Sequence, residues 1–224
     1  MGTENSPRRG RPPRHNRAQL LEAAAEIVAD RGYEGLRYLD VSQATGVAVA
    51  SLRHYFPSVD GLRRDALKQQ VRTEMLQVAV AVARLDDPWE RIRTLIRLSI
   101  GVDPEPRRAS WLVWLEYWRA AARDQELSRD SDKLERDWIT MTQRCIESGV
   151  EAGLFVLDQP AYDAALELNM LIDGSGPTLA ISYPSQQAAE EMMVRVERGV
   201  RRMLGMPPAD EDEEDPGCVT PSSA

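Results

Sequence analysis

Residues 32–62 read GYEGLRYLDVSQATGVAVASLRHYFPSVDGL, and the rest of the chain is best read outward from them. Gly46 and Pro57 divide this stretch into two short helical segments. One runs from Leu39 to Thr45 and closes at Gly46; the other runs from Val49 to Tyr55 and stops ahead of Pro57. Val41, Ala44 and Val47 have the spacing of an inward face. Two short helices joined by a tight turn form a helix-turn-helix, which presents its second helix to the DNA major groove. Spacing alone does not separate that role from an ordinary small helical core.

Helical periodicity continues on both sides. Between Asn16 and Gly32, Leu20, Ala24, Ile27 and Val28 make a core stripe, with Gly32 as the stop. Ser58 can cap a long helix over Val59–Arg84 that carries Leu62, Ala66, Met75, Val78 and Val82. Further helices fit Pro88–Gly101, Arg107–Asp124, Ser131–Ala152, Pro160–Gly174 and Ser185–Leu204. No stretch shows sustained period-two alternation, so the expected fold is all-α with about nine helices. Gly174-Ser175-Gly176-Pro177 is expected to kink or end the helix it follows.

Charge is distributed unevenly. The 224 residues carry a formal net charge of −8, which at first opposes a polyanionic partner. Residues 1–64, however, hold ten arginines and no lysine against seven acids, whereas residues 207–224 hold six acids and no base. Arg8, Arg9, Arg11, Arg14 and Arg17 lie in an acid-free run. That asymmetry points to a nucleic-acid contact confined to one end. Composition sets apart a disordered basic arm over 1–13 and a disordered acidic tail over 207–224, and the helix pattern between them gives a helix-turn-helix domain over 14–57 and a body over 58–206.

Several classes are excluded as expectations. The two cysteines, Cys145 and Cys218, form no disulfide framework, and His15 and His54 lie far in sequence from both, so neither metal nor cofactor is expected. No apolar run approaches the roughly 20 residues that span a bilayer, and no signal peptide follows the basic start, which reads as cytoplasmic. No nucleophile elbow, phosphate-binding glycine loop or His/Cys pairing supports an enzyme.

The residues carry a resemblance as well. AQLLEAAAEIVADRG over 18–32, Gly46-Val47, Leu52 and the run Tyr55-Phe56-Pro57-Ser58 resemble the N-terminal domain of the TetR family of bacterial transcriptional regulators. The resemblance implies a DNA-binding head on a helical body that dimerises and holds a small effector. It also implies a repressor released from a palindromic operator, with the homodimer built through the last two helices. Arg37 stands where the family usually has a capping Thr or Ser, Arg53 where it has a phosphate-contacting Tyr, Ala48 where it has Ser and Val59 where it has Lys. Guanidinium groups can bind phosphate bidentately, so the expectation is redistributed phosphate anchoring.

Base reading is assigned to the exposed side of the second helix. Val49 and Ala50 suit thymine methyls, Ser51 and His54 suit base edges or phosphates, and Arg53 suits either phosphate or guanine. Leu52 and Phe56 are expected in the core, and Tyr55 is expected to offer its hydroxyl to the backbone. For Arg14 and the rest of the arm, a groove-tracking strand and a solvated tail both remain open.

In the body, Trp111, Trp114 and Trp118 share one helical stripe. Buried indole N–H groups need acceptors, so the three read either as core or as the lining of an amphipathic effector cavity. WLVWLEYWRAAARDQEL over 111–127 is similar to the matching stretch of the betaine-responsive subgroup. Asn169 and Asp173, four apart on an apolar helix, are further effector candidates, with a solvent-facing placement as the alternative. The stripe Ala189, Met192, Met193, Val196, Val200 and Met203 must be covered, and the resemblance implies that this helix and the preceding one pair with their copies in a second subunit. Control by a protein partner, without a small effector, stays open at this point.

Overall fold

The computed structural model describes residues 16–100, 104–182 and 185–208. They form nine α-helices, one 3-10 turn at Tyr33–Gly35 and, among the described residues, no strand. The helices are α1 Arg17–Arg31, α2 Tyr38–Thr45, α3 Val49–Tyr55, α4 Val59–Ala83, α5 Pro88–Ile100, α6 Pro104–Ala121, α7 Gln125–Glu151, α8 Ala161–Ser182 and α9 Gln186–Met203.

Local chemistry sets most boundaries. Asn16 accepts from the Gln19 amide at 2.9 Å while the Gln19 side chain accepts from the Asn16 amide at 3.2 Å, a reciprocal capping box that opens α1. Gly46, at φ 71°, closes α2 in the left-handed region. Ser58 Oγ accepts from the Gly61 amide at 3.0 Å and opens α4.

Three helices run over clearly different residues from those expected. The first is α7, which starts well before Ser131, because the Asp124 carboxylate accepts from the amides of Glu126 at 2.8 Å and Leu127 at 3.1 Å and Leu127 is fully buried. Correspondingly α6 starts earlier, with Pro104 in its first turn, where a missing N–H costs nothing, and ends at Ala121 rather than Asp124. The third is α8, which does not end at Gly174. It runs through Pro177 to Ser182, because Leu179 and Ala180 are buried and the packing beyond the proline outweighs its local cost.

Two hydrophobic clusters organise the molecule. One joins α1–α3 and the first half of α4 to Val113, Tyr117 and Ala120 of α6 and to Leu127 and Leu134 of α7. The other joins Val78 and Val82 of α4 to α5, α7, α8 and α9. Trp111 of α6 belongs to the second as well, so α4, α6 and α7 each serve both clusters. The α9 stripe Ala189, Met193, Val196 and Val200 is covered, as its periodicity requires, but within this chain, so it is not the partner-facing surface that the resemblance implied. Apolar side chains left exposed on the last two helices are Met170, Leu171 and Ile181 of α8 and Val194 of α9.

Candidate functional site

The head presents α3 on its surface. Ala48, Ala50, Ser51, Arg53 and His54 are exposed, Val49 and Tyr55 half-buried, and Leu52 and Phe56 buried in the core as their spacing implies. Two side chains depart from expectation. Ala44 is exposed, so only Val41 and, in part, Val47 face inward. The hydroxyl that donates to the Phe56 carbonyl belongs to Tyr38, not Tyr55. Arg14 lies outside the described residues.

Electrostatics favour an anion on this surface. Nearby acids are engaged: Asp40 with Arg31 at 2.8 Å, Asp60 with Arg63 at 2.8 Å, and Asp65 with Arg17. Arg63, only 5% exposed, also donates to the Glu34 carbonyl at 2.9 Å and the Leu36 carbonyl at 2.7 Å, fixing the segment between α1 and α2. Arg53 pairs with no carboxylate among the described residues and stacks over the Tyr38 ring at 5.7 Å. Arg37, exposed at the start of α2, turns back to donate to the carbonyls of Glu34 and Leu36, while Asp40 takes the capping role by accepting from the Arg37 amide at 2.8 Å. The Arg37 guanidinium therefore braces backbone and keeps only its remaining N–H groups for phosphate.

The second site is a cavity of about 180 Å³ in the body, beside the tryptophans singled out in the sequence. Trp111, Trp114 and Trp118 of α6 line it, with Asn169, Ile172 and Asp173 of α8. Glu74 of α4, Ser99 of α5 and Ser131, Glu135 and Trp138 of α7 complete much of the wall. Trp111 is 5% exposed and donates from Nε1 to the Ser99 carbonyl at 3.0 Å. Trp114 donates from Nε1 to Glu74 Oε2 at 2.9 Å, and the Ser110 hydroxyl donates to the same oxygen. The indoles of Trp111 and Trp118 lie 6.0 Å apart, those of Trp114 and Trp118 5.9 Å. With the N–H groups of Trp111 and Trp114 held by fixed acceptors, their indoles offer ring surface to the cavity.

Asn169 and Asp173 both face this space. Asn169 Nδ2 donates to Asp173 Oδ2 at 3.1 Å. Burial, assisted by the negative charge of Glu135, pushes the Asp173 carboxyl up from 3.8 to about 6, against the pull of the Asn169 hydrogen bond. One cation is also present: Arg107 lines the cavity, and burial lowers its pKa despite the attraction of Glu74.

Sequence reasoning missed Glu74, Arg107, Glu135 and Trp138, although each left a trace. Arg107 lies four residues before Trp111, and Trp138 four after buried Leu134. Glu74 interrupts the stripe of Val71 and Val78, where a carboxylate needs a partner.

A path joins cavity and head. The Tyr33 amide donates to Glu116 Oε2 at 2.9 Å, and Arg119 braces the same oxygen at 3.0 Å. On the same helix Tyr117 is fully buried in the head's cluster and donates to Asp130 Oδ2 at 3.0 Å; burial and that carboxylate push its phenol well above the usual range. Thus α6 gives its tryptophans to the cavity and Val113, Tyr117 and Ala120 to the head.

Comparison with known proteins agrees with this arrangement. Residues 20–66 match the bacterial regulatory proteins of the TetR family, and residues 88–205, over half of the chain, match the C-terminal region of BetI-type transcriptional repressors. The regulator BetI of Stenotrophomonas maltophilia is 29% identical over 126 residues, 55% of this chain and 62% of that protein; the match thus spans less than two thirds of the relative's length. The repressor AcnR of Corynebacterium efficiens is 29% identical over 203 residues, 86% of this chain and 96% of that protein. A transcriptional regulator from Saccharomonospora viridis, solved in complex with choline, has a TM-score of 0.71 and 25% identity, covering 80% of this chain and 91% of that one. A TetR-family regulator from Rhodococcus sp. shares the fold at a TM-score of 0.69 and 20% identity, covering 84% and 97%.

An exposed recognition helix on a body with a lined cavity is the architecture of a helix-turn-helix regulator. The chain belongs to the TetR family of bacterial transcriptional regulators, with a C-terminal region of the BetI type.

Proposed function

We propose that this protein is a homodimeric repressor that binds a palindromic DNA operator through α3 and releases it when a small ammonium cation fills the body cavity. The observation that carries the reading is the cavity wall: four indoles with three carboxylates, Glu74, Glu135 and Asp173, against a single guanidinium. Indole faces attract cations through their quadrupole, and quaternary ammonium groups are the ligands such aromatic cages recognise. The choline complex of the Saccharomonospora viridis regulator supports the same ligand class. A cavity beside the tryptophans also removes the reason to prefer control by a protein partner alone.

DNA contact is assigned to Ala48, Val49, Ala50, Ser51, Arg53, His54 and Tyr55, with Arg37 and Arg14 as phosphate contacts. Dimerisation is assigned to the outer faces of α8 and α9, where Met170, Leu171, Ile181 and Val194 are exposed. A two-fold dimer sets paired recognition helices about 34–36 Å apart on one face of the duplex. Coupling follows from shared elements. A ligand among the tryptophans acts on α6 and on Glu74 of α4, and both helices belong also to the head. Ligand and operator then weaken each other by the same factor.

Genomic footprinting supplies the operator, and fluorescence anisotropy on that DNA tests the switch. Release by choline, with quenched tryptophan emission, is the expected result. Undiminished operator affinity at saturating choline sinks the proposed switch.

A further inference from the structure

Arg53 is held without an ion pair. It is exposed on α3, has no carboxylate partner among the described residues, and lies with its Cζ 5.7 Å from the centre of the Tyr38 ring. Asp60, whose charge reaches the Tyr38 phenol, is already engaged by Arg63 at 2.8 Å. Tyr38 is itself fixed. It is the first residue of α2, half-buried against the head's core, and its hydroxyl donates to the Phe56 carbonyl at the end of α3. The ring cannot turn away from Arg53 without breaking that hydrogen bond.

Held this way, Arg53 stays available to a ligand. A guanidinium over an aromatic ring uses its face there and keeps its in-plane N–H groups free, whereas an ion pair with a carboxylate would occupy the edge that binds phosphate. Its direction follows from the fold. Arg53 is the fifth of the seven residues of α3, and its guanidinium lies over the first residue of α2. In a helix-turn-helix the start of the recognition helix reads bases, while the helix before it crosses the DNA backbone. A side chain held on the α2 side of α3 is therefore aimed at a phosphate.

We infer that Tyr38 is a positioning residue for DNA binding, whose ring holds the Arg53 guanidinium with its N–H edge outward, ready for a backbone phosphate. The inference rests on the DNA contact assigned to Arg53 and adds what orients that side chain. A free arginine samples many rotamers, and ordering it on binding costs affinity. The Tyr38 ring removes part of that cost before DNA arrives.

Fluorescence anisotropy of the full-length protein on a labelled DNA duplex of mixed sequence, at several salt concentrations, tests the assignment. Tyr38→Leu is expected to weaken binding by about two- to fivefold, the scale of one exposed cation–π contact. The slope of log affinity against log salt should stay as it is, because Arg53 keeps its charge. Arg53→Met is expected to weaken binding further and to flatten that slope by about one unit. Added to Arg53→Met, Tyr38→Leu should cost nothing more. Tyr38→Phe, which keeps the ring without its anchoring hydroxyl, should give a smaller loss that also vanishes with Arg53→Met, and it serves if the leucine variant melts early. Equal losses from the Tyr38 variants with and without Arg53 would mean that Tyr38 only supports the head, and they overturn the inference, as does no loss at all. If Arg53→Met leaves affinity and slope unchanged, the phosphate contact itself falls, and the role of Tyr38 with it.

Discussion

Gly176 lies directly beneath the indole of Trp111: a Cβ built there would stand 2.0 Å from the ring. Real side chains do not approach so closely, so the α6–α8 contact depends on the absence of one. An alanine in mid-helix normally gains up to about 1 kcal/mol over glycine. Here the clash reverses the sign, and Gly176→Ala is expected to destabilise by about 1–3 kcal/mol. Gly199, with nothing within 4 Å of its Cβ position, is the control and should gain from alanine. Thermal melting of both variants checks the pair, and cation affinity should fall only in Gly176→Ala.

Asp173 gives cation binding a pH dependence. Its carboxyl is raised from 3.8 to about 6, and a bound cation favours the ionised form. Affinity should therefore weaken as pH falls through about 6, by up to about tenfold per unit. For the unliganded fold the sign is opposite: the raised pKa contributes stability present below about 3.8 and lost as pH rises through about 6. Asp173→Asn should bind choline weakly and independently of pH, yet melt no lower than the native protein near neutrality. Titrations at several pH values, with melts alongside, decide it.

Arg53 projects from α3 without a carboxylate partner among the described residues. If it grips phosphate, Arg53→Ala should weaken binding to all DNA sequences alike and flatten the plot of log affinity against log salt by about one unit per lost contact. Loss confined to the operator, with an unchanged slope, would show that it reads a base.

Glu116 holds the head to α6 by accepting from the Tyr33 amide at 2.9 Å. Removing that acceptor in Glu116→Ala leaves a half-buried donor unsatisfied, worth about 1 kcal/mol. Binding of choline and of operator should each survive, while the factor by which one weakens the other shrinks. Measuring choline affinity with and without operator reads that factor directly.

Met170 and Ile181 are 61% and 66% exposed on α8. A paired Met170→Glu, Ile181→Glu variant should remain folded, because neither side chain supports the core, and should run as a monomer in light scattering with operator affinity sharply reduced.

The sequence alone carried the helical class and most of the head. Its signals there are local: Ser58 as a cap, Gly32 and Gly46 as stops, Pro57 as a break, and a stripe that placed Leu52 and Phe56 inside. Where the reading failed, a distant contact had overridden a local preference. Buried Leu179 and Ala180 carried α8 past Pro177, and Asp124, read as the end of one helix, proved to be the cap of the next.

The tryptophan stripe and the Asn169–Asp173 pair were visible as patterns on single helices, because periodicity records which residues share a face. Periodicity does not record what faces them. That Glu74, Glu135 and Trp138 close the same space, that Ser110 bridges Arg107 to Glu74 on its wall, and that the α9 stripe is covered by its own chain follow only from how α4, α6, α7, α8 and α9 meet. Helix formation is decided over a few residues, whereas a cavity and its charge are decided by packing between segments about a hundred residues apart, and no local spacing encodes that.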